Sequence, residues 1–142
     1  LLHSDETVVH LVTLLEAMPI QETVEAVGEL QSKNVKVGTL IINKVSPVYL
    51  PADQIDAIAE GVIDAPRIAN SLAEAQLPVS DSDLAGLLTE SIEHATRLQA
   101  QQVAKAQLDE VELPTLELPL LDEGIDLGSL YELADLLQKA GA

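Results

Sequence analysis

The chain has 142 residues, enough for one domain with a modest core, and no cysteine, which excludes a disulfide framework and thiolate metal sites. Seven basic residues against 24 acidic ones give a net charge of −17, a balance that repels nucleic-acid phosphates and anionic lipid surfaces. Tyr49 and Tyr131 are the only aromatic side chains, so the stacking platform of a single-stranded nucleic-acid binder is absent and any core is built from Leu, Ile, Val and Ala.

No apolar run approaches the roughly 20 residues that span a bilayer, so a soluble, cytoplasmic protein is expected. The sequence opens on Leu1-Leu2-His3 with no initiator Met and no charged leader, which predicts a piece of a longer protein or a processed chain.

Thr7 to Leu14 is β-branched and nearly continuously apolar, the pattern of a parallel strand buried on both faces. Pro19 suits the first turn of a helix, where its missing N–H costs nothing, and Ile20, Val24, Val27 and Leu30 recur at helical spacing through about Ser32. Lys33-Asn34 marks the helix exit, with a cation and a residue tolerant of left-handed backbone. Val35 to Ile42 is the next apolar run, and it leads directly into Asn43-Lys44. Residues 7–50 therefore read as one βαβ unit with its exit loop, with a right-handed crossover.

Residues 51–112 read as helical. Ala52 to Val62 places Ile55, Ile58 and Val62 on one face. Asp64 can cap a helix from Pro66 to about Gln76, with Ile68, Leu72 and Ala75 inward. Asp81 or Ser82 starts a long helix through about Leu108, with Leu84, Leu88, Ile92, Ala95 and Leu98 as its stripe. Residues 113–142 hold a short strand, Thr115 to Leu118, bounded by Pro119, and a last helix opening at Asp126 or Ser129 and running through Lys139. The order predicts an α/β fold with three parallel strands and flanking helices, a partial sheet whose edges invite further strands or self-association.

Three places converge on the carboxyl edge of such a sheet, where open α/β folds bind ligands: Glu16, Asn43-Lys44 and Pro119-Leu120-Leu121. An Asn amide offers a donor and an acceptor to a purine edge, and Pro119 and Leu120 can supply flat apolar walls. The competing reading is an Asn that ends its strand by bonding its own turn, and a packed strand exit at 119–121. Lys44 can lay its stem over a base or stand in solvent. In guanine-reading nucleotide hydrolases this strand end carries Asn-Lys-x-Asp; here Ser46 takes the fourth position, which removes the guanine-specific acceptor and favours adenine.

No G-x-x-x-x-G-K-[ST] loop occurs, and the seven glycines are isolated, so the chain alone is not expected to hydrolyse a nucleotide. His3, His10 and His94 fall on different elements and predict no shared metal site. Between Ala106 and Gln138 there is no Lys or Arg, while nine acids run from Asp109 to Asp135. This stretch reads either as a solvated face or as a docking surface for a basic partner; its spacing is not that of a calcium loop.

The segment Val12-Thr13-Leu14-Leu15-Glu16-Ala17-Met18-Pro19-Ile20-Gln21-Glu22-Thr23 resembles the strand-to-helix segment of ArsA-type anion-transporting ATPases, the family of the arsenite-pump ATPase and of the targeting ATPase for tail-anchored proteins. Val37 to Lys44 resembles that family's strand ending in Asn. The stretch from Arg97 to Leu108, followed by Glu117-Leu118-Pro119-Leu120-Leu121, resembles its late helix and Leu-Pro-Leu exit. The likeness covers most of the chain and is weakest over residues 52–80.

The resemblance implies the C-terminal half of a P-loop NTPase fold, from a dimeric ATPase that closes over ATP and Mg²⁺, with the phosphate loop and metal ligands upstream of Leu1. It implies Asn43 as the adenine contact, Pro119 and Leu120 as walls of the base pocket, and Lys44 as a neighbour. It implies ATP as ligand of the whole protein and either a second copy or a separate ATPase subunit as partner. The family's exit loop continues Glu-Val-Arg-Gly, whereas Glu123-Gly124-Ile125-Asp126 stands here without the Arg. The alternative is a non-catalytic regulatory or scaffold module that pairs with a separate ATPase subunit.

Overall fold

The computed structural model describes residues 7–121 and 124–141. The opening Leu1-Leu2-His3 and Glu123 of the exit loop lie outside the described residues. The elements run β1 (Val9–Leu14), α1 (Ala17–Ser32), β2 (Val37–Val45), α2 (Ala52–Ala59), α3 (Ala65–Glu74), α4 (Asp81–Asp109), β3 (Thr115–Pro119) and α5 (Leu127–Ala140). The fold is α/β, a three-stranded parallel sheet in the order β1-β2-β3 with flanking helices, consistent with part of a P-loop NTPase-like fold.

The chain divides into two compact units. One holds the sheet, up to Pro47 and from Gln101 onward; the other spans Val48–Ala100. In the sheet unit, β2 is central because its run of β-branched and Leu residues is the most apolar, and Thr39 to Ile42 are all buried. Leu40 and Ile42 share one face, and there they form a core with Leu15, Ile20 and Val27 from the α1 side and Ala104 and Leu108 from the end of α4. Thr23 is buried and satisfies its hydroxyl on the Pro19 carbonyl at 2.7 Å.

α1 begins two residues before Pro19, so the proline stands third in the helix; its missing N–H is still one of the four that an N-terminus leaves unpaired. β1 is not buried on both faces as its composition predicts. α1 and the end of α4 pack on the Leu40–Ile42 face, and Val8, His10 and Val12 on the opposite face of β1 are exposed, Val12 at 64%.

β2 carries two irregularities. Between Val9 and Leu11 the register slips by one residue at Gly38, and the His10 imidazole accepts the Thr39 N–H at 3.1 Å. Between Ile42 and Val45 it slips again, with Lys44 in the left-handed region at φ 56°. The strand therefore does not stop at Ile42: pairing resumes at Val45 opposite Pro119, and Leu120 N–H donates to the Val45 carbonyl at 2.9 Å.

In the helical unit Ile55 is buried and packs with Ala95 and Leu98 of α4, with Ile58 and Ala59 against them. α2 ends three residues earlier than the periodicity suggests, because the chain turns at Gly61 with φ 78°, and Val62 is left exposed. Asp64 caps α3 by accepting the Arg67 N–H at 3.0 Å. Ile68 and Leu72 are half-buried and Ala75 is exposed. Among the described residues, no helix is long and apolar enough to cross a membrane.

Candidate functional site

The slip at 43–44 decides the geometry of the site. In a regular strand Asn43 and Lys44 would point to opposite faces. One extra residue in β2 lets both line the same groove and returns Val45 to the core face, where it packs against the Leu40–Ile42 cluster. The left-handed backbone of Lys44, costly for a residue with a Cβ, is held by its N–H, which donates to Asn43 Oδ1 at 3.0 Å.

Asn43, Lys44, Pro119 and Leu120 are brought together. They line one groove of about 530 Å³ with Leu118, Leu121, Ile125 and, from α5, Leu130, Leu133, Ala134 and Leu137. That volume falls within the ~300–1,000 Å³ usual for small-ligand sites. The walls are almost wholly apolar, and Asn43 and Lys44 supply the polar groups. Asn43 is half-buried; its Oδ1 is engaged by its own turn, and its Nδ2 makes no hydrogen bond among the described residues. Glu16 is exposed at the N-cap of α1 without a side-chain capping bond, and it does not line the groove.

The α5 wall went unread in the sequence, although Leu130, Leu133, Ala134 and Leu137 recur at i, i+3, i+4 and i+7. α5 is fixed at its start by a reciprocal cap: Asp126 Oδ1 accepts the Ser129 N–H and Ser129 Oγ accepts the Asp126 N–H, both at 2.8 Å. The Ser129 backbone and hydroxyl bonds hold the Asp126 carboxyl below its usual range. Gly141 ends the helix with φ 71°. A polar recess with Gly124, Asp126, Ser129 and Glu132 adjoins the groove at Leu120 and Leu121.

A larger groove, about 700 Å³, lies between α1 and the end of α4 and contains none of the strand-end residues. Among the described residues no group of three His, Asp or Glu side chains is placed to hold a metal ion.

No family model matches the chain. It is 47% identical over 141 residues to the protein named "Putative ATPase Mb3704" of Mycobacterium bovis and to the protein named "ATPase BagA" of Mycobacterium tuberculosis. The match takes in 99% of this chain but 42% of each relative, so the chain spans less than half the length of the relatives it resembles.

Proposed function

We propose that residues 1–142 form the adenine side of an ArsA-like ATP-binding and ATP-hydrolysing protein, with the phosphate loop and Mg²⁺ ligands supplied outside this chain. The observation that carries the reading is the joining of Asn43 with Pro119 and Leu120 in one apolar groove at the carboxyl ends of two parallel strands. The ATPase names of the relatives support it. In this reading the Asn43 Nδ2 donates to a ring nitrogen, and the second lone pair of Oδ1 accepts from the exocyclic amine. Pro119 and Leu120 flank the ring, and the Lys44 stem closes it off. Pairing of two such subunits would complete the ATP site, and the anion or cargo specificity of the family stays with the rest of the protein.

The test is ATP affinity of the full-length protein with Asn43→Ala. Loss of a base contact should weaken ATP roughly three- to tenfold, with a smaller change for GTP. Unaltered ATP affinity refutes the contact. One observation favours the alternative, a scaffold module: Asn43 already bonds its own turn. On that reading Asn43→Ala lowers stability and leaves ATP affinity unchanged.

A further inference from the structure

We infer that Gln101 and Lys105 of α4 are positioning residues that hold the two walls of this groove at their working separation; the inference rests on the base-binding reading above. Two walls of the groove, at Asn43-Lys44 and at Pro119-Leu120, are strand exits, and α4 ties down each of them from the far side of the sheet. Ser46, two residues after Lys44, donates its N–H to Gln101 Oε1 at 3.3 Å, and Gln101 Nε2 donates to Ser46 Oγ at 3.4 Å. The two ends of one side-chain amide are therefore spent on one residue. One helical turn later Lys105 pairs with Glu117, two residues before Pro119. Residues four apart share a helix face, and between these two Ala104 is buried in the core, with Leu108 buried one turn on.

The helix is thus anchored by packing and grips both exits by polar contacts. Glu117 and Ile42 lie side by side in register and point to the α4 face, whereas Leu118 and Asn43 face the groove. Tension on Ser46 or Glu117 therefore moves Asn43 or Pro119 without entering the groove. This also gives Ser46 a role. Where a guanine reader would place an Asp toward the base, Ser46 is absent from the groove lining and is held by α4. The Lys105–Glu117 pair is about half-exposed and supplies the weaker hold.

The experiment is a double-mutant cycle on the full-length protein, read as ATP dissociation constants by calorimetry. Gln101→Ala should weaken ATP about three- to tenfold, and Lys105→Met by at most about fivefold. In an Asn43→Ala background the Gln101→Ala loss should shrink, because the hydrogen-bonding base contact that Gln101 positions is gone and only the apolar walls remain. Gln101→Glu should retain affinity, since its carboxylate accepts from both the Ser46 N–H and the Ser46 hydroxyl. Ser46→Ala serves as the second probe should Gln101→Ala unfold. Wild-type affinity in Gln101→Ala and Ser46→Ala, or equal losses in both backgrounds, overturns the positioning role. If Asn43→Ala weakens ATP and Gln101→Ala does not, the base reading stands and this inference alone fails. If Asn43→Ala leaves ATP unchanged, both fail.

Discussion

Leu40→Ala should be among the most damaging single truncations in the sheet unit. Leu40 is fully buried on the central strand and belongs to the cluster with Leu15, Ile20, Val27, Ile42, Ala104 and Leu108. The change removes about three carbon groups, worth ~0.8 kcal/mol each, or about 2.4 kcal/mol of transfer free energy. Helices on the same face limit collapse, so a void of about 50 Å³ would add about 1.2 kcal/mol at ~24 cal/mol per Å³. The expected loss is therefore about 3.5 kcal/mol. With a urea slope near ~2 kcal/mol per molar, the midpoint falls by about 1.8 M. Far-UV circular dichroism follows the transition, and amide exchange of β2 assigns the loss to the sheet unit. Val12→Ala is the control, because Val12 is 64% exposed on the open face of β1 and should cost under ~0.5 kcal/mol. A loss below ~1 kcal/mol at Leu40, or equal losses at the two sites, refutes this account of where the core lies.

Gly38→Ala should loosen the β1–β2 ladder. An added Cβ would stand 2.7 Å from Val8 Cγ1 and 2.8 Å from His10 Cε1, so the imidazole must swing away and release the Thr39 N–H. The expected cost is about 1–3 kcal/mol, with faster exchange of the Thr39 amide; unchanged exchange would contradict it. Stability should also fall in alkali. The Glu117 hydrogen bond, with the charges of Glu117 and Asp109, raises the Lys105 ammonium above its ordinary 10.5 despite partial burial. A raised folded value means the pair's contribution is whole below about pH 10.5 and is lost as pH climbs through the folded value. Lys105→Met should remove that alkaline limb, and an unchanged limb would show that the pair contributes nothing.

Much of the local structure was readable from residue type. Pro119 closes β3, Asp64 caps α3, and Asp126 opens α5, each by chemistry confined to a few neighbouring residues. β1 and β2 were readable because β-branched runs of their length suit a pleated, buried surface. The open face of β1 was not: a strand's own residues carry no record of which helices cover it. The early end of α2 escaped as well, because Val62 fits the apolar period while Gly61 breaks the backbone.

The four candidate site residues stand at strand ends in the sequence, and three-dimensional placement brings them into one groove. Lys44 looked optional until the register slip put it beside Asn43. The α5 wall was a plain amphipathic stripe until the chain returned it to the end of β3. Gln101 carried no signal, since its meaning depends on Ser46, 55 residues away.

By itself, then, the sequence determined the α/β class, the parallel strands, the order of the helices with the caps of α3 and α5, and the pair of strand ends worth watching. These follow from local periodicity, turn chemistry and capping, which act over a few residues. Tertiary structure alone decided the bulge that turns Asn43 and Lys44 to one face, the helix that closes the groove, and the grip of α4 on both walls. Each of those depends on pairing register and on contacts between residues far apart in the chain, and such contacts exist only once the sheet has formed.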